Sequence, residues 1–98
     1  MKLYVIVRSD LPSWQQCAVQ GGHALAELLL DVNVSEDWNN GTLIYLKVEN
    51  EKQLKEYFWE FTDAQYCAAA FHEPDLNDEM TAVAALGVEH MVQDLPLL

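Results

Sequence analysis

Leu3-Tyr4-Val5-Ile6-Val7-Arg8-Ser9-Asp10-Leu11-Pro12-Ser13 sets the architecture of this chain. Leu3, Val5 and Val7 alternate with Tyr4 and Ile6, so both faces of the segment are apolar. A strand of that kind belongs inside a sheet covered on both sides, as parallel strands usually are. Residues 2–8 are therefore expected to form a buried strand that Arg8 through Pro12 terminates. Ser13 followed by Gln16 fits a capping box, in which the serine hydroxyl accepts from the third helical N–H. It predicts a helix from about Trp14 to about Leu30. Cys17, Ala18, Ala24, Leu25, Leu28 and Leu29 recur at three-and-four spacing and should face the sheet.

Downstream, residues 31–41 read as a loop closing on Asn39-Asn40-Gly41, residues that tolerate positive φ. Thr42 to Val48 form the second expected strand. Asn50 with Gln53 repeats the capping pattern, and Leu54, Tyr57, Phe58 and Phe61 mark the inner face of a second helix. Alanine-rich stretches near 65–71 and 80–86 are two further strands, flanking an acidic loop from His72 to Glu79. The order β-α-β-α-β-β implies one α/β domain over residues 1–98: a small mixed four-stranded sheet with helices packed on it, in two or three layers.

Composition narrows the function. With 51% hydrophobic residues the chain can bury a core. No apolar run approaches the roughly 18 residues of a membrane helix, and no signal peptide is legible, so a cytoplasmic location without membrane partners is expected. Cys17 and Cys67 fit no ligand spacing and are expected to be small buried hydrophobes. The net charge of −11 is concentrated in the second half, where Lys52 and Lys55 face eleven acids in residues 49–98. Such a field opposes general RNA binding, which draws on Lys and Arg placed against phosphates. His72, Glu73, Asp75, Asp78 and Glu79 match no metal signature and read as a solvated acidic loop, so neither metal nor cofactor is implied. Trp14, Trp38 and Trp59 are expected mostly to pack, without a basic-aromatic pattern for stacking on bases.

Gln16, Gln20, His23 and Glu27 are spaced by four, three and four along the first helix, on what reads as one polar face. That face is either ordinary solvated surface or the support of a histidine acting as base or donor, with Glu27 one turn on. Gly21 and Gly22 each cost about 1 kcal/mol in a helix interior, which implies a close neighbour to the backbone.

The strand ending Arg8-Ser9-Asp10-Leu11, followed by a helix carrying Gln20-Gly21-Gly22-His23-Ala24, resembles the type 2 peptidyl-tRNA hydrolases. In that family the strand ends in Arg-Thr-Asp-Leu and the helix bears Gln-x-x-His-Ala. The similarity extends to Thr42–Val48, to Thr81-Ala82-Val83-Ala84 and to the closing Asp94-Leu95-Pro96-Leu97-Leu98. It implies hydrolysis of the ester between peptide and tRNA, or of a related ester. His23, Glu73 and Thr81 would be catalytic, and Asp10, Gln16 and Gln20 would bind substrate. Gln16 stands where the family has a lysine, and Glu73-Pro74-Asp75 where it has Asp-Ala-Gly. The alternative is a binding module that keeps the cleft without the chemistry. Partners implied are tRNA or a nucleotide-like ligand, and a homodimer is compatible with either reading.

Overall fold

The computed structural model describes residues 1–98. Its elements are β1 (Leu3–Arg8), α1 (Trp14–Leu29), α2 (Val32–Asp37), β2 (Leu43–Val48), α3 (Glu51–Asp63), β3 (Ala68–Glu73) and β4 (Glu79–Leu86). One mixed sheet has the order β2-β1-β4-β3. β1 runs parallel to β2 and antiparallel to β4, and β3 and β4 form a hairpin.

β1 is central because both of its faces are apolar. Leu3, Val5 and Val7 point to one face, where Cys17, Ala24 and Leu28 of α1 and Val34 of α2 cover them. Tyr4 and Ile6 point to the other, against Leu54 and Phe61 of α3. The domain therefore has three layers, with α1 and α2 on one side of the sheet and α3 on the other. Of the two architectures open from the sequence, the apolar stripes on both sides of β1 select this one.

Both N-caps form, but only the second closes as a box with its glutamine reaching back. Ser13 Oγ accepts from the Gln16 amide at 3.2 Å, and Asn50 Oδ1 accepts from the Gln53 amide at 2.9 Å. The Gln53 side chain returns to the Glu49 amide at 2.7 Å, so the start of α3 is closed from both directions. Asn40 takes φ of 52°, as the Asn-Asn-Gly turn requires.

Five details differ from the sequence expectations. The segment after α1 is a short helix rather than a loop, because the Asp31 side chain caps the Asn33 amide. Trp38 then closes the turn, its indole N–H donating to the Thr42 carbonyl. Ala18 is exposed and Gln20 is buried, since the buried stripe runs Cys17, Gln20, Gly21, Ala24, Leu28. Cys67 is exposed, lying before β3 on the hairpin side of the sheet. His72, Glu73 and Glu79 belong to strands, so the acidic loop shrinks to a turn in which Asn77 and Asp78 take positive φ. Two of the three tryptophans, Trp14 and Trp59, stand in solvent.

Gly21 explains part of the glycine pair. A Cβ there would lie 2.6 Å from Tyr45 Cε2 and 3.1 Å from Val5 Cγ1, so the helix seats on the sheet only without a side chain at this position. Gly22 meets nothing within 4 Å.

Candidate functional site

The site is assembled by an irregularity in the β3-β4 hairpin. Phe71 pairs with Ala82 while His72 pairs with Met80, leaving Thr81 as the extra residue of a β-bulge. Strict alternation from Ala82, which faces α1, would send Thr81 to the α3 face. The bulge turns it instead toward α1, where it is fully buried and its hydroxyl donates to Gln20 Oε1 at 2.6 Å. Gln20 Nε2 in turn donates to Glu73 Oε1 at 3.2 Å.

Thr81, Gln20 and Glu73 thus form a directed chain of hydrogen bonds. The Glu73 carboxylate only accepts, so it draws the NH₂ of the Gln20 amide toward itself and leaves the amide oxygen for the threonine hydroxyl, which also lies 3.4 Å from the Phe71 carbonyl. The carboxylate is held through one oxygen at the wall of a cleft of about 320 Å³, lined by Leu11, Gln15, Gln16, Val19, Gln20, Glu73, Asp75 and Leu76. No Lys, Arg or His lines it.

The other expected site residues divide. Gln16 lines the cleft. His23 is exposed and lies one turn beyond Gln20, its ring stacked on Phe71 with centroids 4.4 Å apart and an angle of 11°. It is beside the chain of hydrogen bonds but outside the cleft lining. The polar helix face read from the sequence is therefore split: Gln20 turns inward while Gln16, His23 and Glu27 stay exposed.

Asp10 is engaged elsewhere. Arg8 Nε and Nη2 donate to its two oxygens at 2.7 and 3.0 Å, and Arg8 Nη1 donates to Glu79 at 2.6 Å and to the Met80 carbonyl at 3.4 Å. Hydrogen bonding to Asp10 above all, with Glu79 adding to it, holds the guanidinium well above its ordinary pKa despite burial. The same bond from Arg8 holds the Asp10 carboxyl below the usual range. The Met80 amide donates to Glu51 of α3 at 2.8 Å. These contacts tie the end of β1 to the start of β4 immediately before the bulge, and they neutralise Arg8.

Sequence reasoning missed Arg8 as an anchor, Phe71 as the partner of His23, and Asp75 with Leu76 as cleft walls. Arg8 carried a signal, since a lone arginine ending a buried strand needs acceptors. The bulge left none, because an alanine-rich hairpin gives no local cue to an extra residue.

No group of three or more His, Cys, Asp and Glu side chains is placed to hold a metal ion, and no helix is long and apolar enough to cross a membrane. A search of curated proteins finds no match to this chain. The family model described as Peptidyl-tRNA hydrolase PTH2 matches residues 1–97, which takes in β1, the Gln20–His23 helix, the bulged hairpin and the cleft between them. Because that match covers nearly the whole chain, the chain belongs to the PTH2 family of peptidyl-tRNA hydrolases.

Proposed function

We propose that this protein hydrolyses the ester between a peptide and the terminal ribose of tRNA, with Glu73 as the general base. The observation that carries this reading is the chain Thr81 to Gln20 to Glu73, which presents an oriented carboxylate at the wall of a cleft. Glu73 removes a proton from water as the water oxygen bonds to the ester carbonyl carbon. The tetrahedral intermediate collapses by breaking the bond to the ribose oxygen, which takes the proton back from Glu73. The products are a peptide carboxylic acid and tRNA with a free hydroxyl.

Each remaining residue has a part in this scheme. Gln20 and Thr81 are positioning residues for the carboxylate, and the outward donors of the cleft are Gln15 and Gln16. Gln16 offers a neutral hydrogen bond where the family has a lysine, which suits an uncharged ester carbonyl better than a phosphate. His23 steadies β3 through its stack on Phe71, two residues from Glu73. Asp10 holds Arg8 and with it the turn that brings Leu11 to the cleft.

The test is hydrolysis of an N-acetylated aminoacyl-tRNA in ¹⁸O-labelled water. Label in the released carboxylate and none in the tRNA supports acyl-carbon attack. No turnover above the buffer rate contradicts the proposal.

A further inference from the structure

Four surface depressions exist, and three of them carry two carboxylates each: Glu73 and Asp75, Glu49 and Asp94, Glu51 and Glu56. The fourth, of about 680 Å³, has no Asp or Glu among its lining residues, although the chain contains sixteen, and Leu98, the last residue of the sequence, borders it. It lies on the opposite flank of the first turn of α1 from the cleft, and Leu11 is a wall of both. Pro12, Trp14 and Ala18 form its apolar side, and Ser9, Ser13 and Lys47 its polar side.

Two of these residues are otherwise unexplained. Trp14 is 73% exposed, and packing within the fold does not account for an indole placed in water. Lys47, like Lys2 and Lys52, is in no ion pair, and it stands between this pocket and the depression that carries Glu49 and Asp94. Between the pocket and the cleft lies the start of α1, where Ser13 accepts from the amides of Gln16 and Cys17 and the amides of Trp14 and Gln15 begin the helix without intrahelical acceptors.

We propose that this pocket holds the terminal nucleotide of the substrate, its adenine stacked on Trp14 and its 5′-phosphate at Lys47. The inference rests on the ester-hydrolase reading above. Every tRNA ends in an adenosine whose ribose carries the acyl ester, so a base seated on Trp14 would lead its ribose across Leu11 and deliver the ester to Glu73. Stacking supplies affinity that does not depend on the counter-charge this acidic protein lacks. One lysine and the positive end of α1 suffice for one phosphate.

The test is an NMR titration of the ¹⁵N-labelled full chain with AMP, adenosine and inorganic phosphate in separate arms. AMP is expected to bind saturably and to shift the Trp14 indole N–H together with the amides of Ser9, Leu11 and Ser13. Trp14→Ala should weaken AMP by about tenfold or more, the range for loss of one base stack. Lys47→Ala should abolish the advantage of AMP over adenosine, and Glu73→Gln should leave AMP binding unchanged. No saturable AMP binding at millimolar concentration, equal binding of inorganic phosphate and AMP, or AMP binding indifferent to Trp14→Ala each overturns the site. The two proposals separate cleanly. Wild-type kcat and KM in Trp14→Ala would sink the nucleotide site and leave hydrolysis standing, whereas Trp14-dependent AMP binding in a protein with no hydrolytic turnover would do the reverse.

Discussion

Replacing Thr81 with valine removes one hydroxyl and changes almost no volume, so it isolates the hydrogen bond that satisfies the buried Gln20 carbonyl. Thr81 is 0% exposed and Gln20 6% exposed, and their bond is 2.6 Å long. Without the hydroxyl, Gln20 Oε1 is buried beside a methyl group. If the amide flips to escape, its carbonyl oxygen faces the Glu73 carboxylate, which is no better. Either way a buried acceptor is left unsatisfied, at a cost of about 1–3 kcal/mol. With a urea m-value of about 1–3 kcal/mol/M, the unfolding midpoint should fall by roughly 1 M at unchanged slope.

The double variant Thr81→Val with Gln20→Leu separates stability from function. Removing both polar partners together can be nearly neutral, so stability should return to within about 1 kcal/mol of the wild type. Hydrolysis should not return, because Glu73 has lost its donor. Urea unfolding followed by circular dichroism reads the first effect, and turnover of acylated tRNA reads the second. Thr81→Val within about 0.5 kcal/mol of wild type, or a double variant no more stable than the single one, would refute the role of Thr81 as the partner of the buried Gln20 carbonyl.

The glycine pair should respond with opposite signs. Gly21→Ala forces a Cβ onto Tyr45 and Val5, and overpacking of about 1–3 kcal/mol should outweigh the roughly 1 kcal/mol of helix propensity it gains; Gly22→Ala, with open space around it, should stabilise by about 0.5–1 kcal/mol, and urea midpoints check both. Burial, then the charge of Asp10, pushes the Cys17 thiol pKa up, so a thiol reagent at pH 8 should modify exposed Cys67 promptly and Cys17 only on unfolding. Binding of acylated tRNA should show a shallow salt dependence, with log K against log salt no steeper than about −2, because few cations are free to displace counterions; a slope near −5 would contradict the placement of affinity in stacking and hydrogen bonds.

The fold was legible because its decisive element is local. β1 announces burial on both faces, and two capping pairs mark the helix starts. Of the expected site residues, Gln20, Glu73 and Thr81 are joined by hydrogen bonds and Gln16 lines the cleft beside them, whereas His23 and Asp10 lie outside its lining. What the sequence hid depends on register. A helical-wheel reading cannot see that Gln20 belongs to the buried stripe, because a buried glutamine is explained only by a partner from another element. Nor does alternation along β4 reveal that Thr81 faces α1, since that depends on a bulge defined by pairing with β3. The exposure of Trp14 was hidden for a related reason, as an aromatic at a helix start is buried or exposed according to what packs over it.

The most direct measurement is single-turnover hydrolysis of N-acetylated aminoacyl-tRNA by wild-type protein and by Glu73→Gln, an exchange that keeps the shape and removes the base. Glu73 is half-buried at the cleft wall and bears no ion pair, so the variant should fold with the stability of the wild type. The expected result is wild-type turnover and a loss of about 10²–10⁴-fold in Glu73→Gln with substrate binding retained. Equal rates in the two proteins would contradict the assignment of Glu73 as the base.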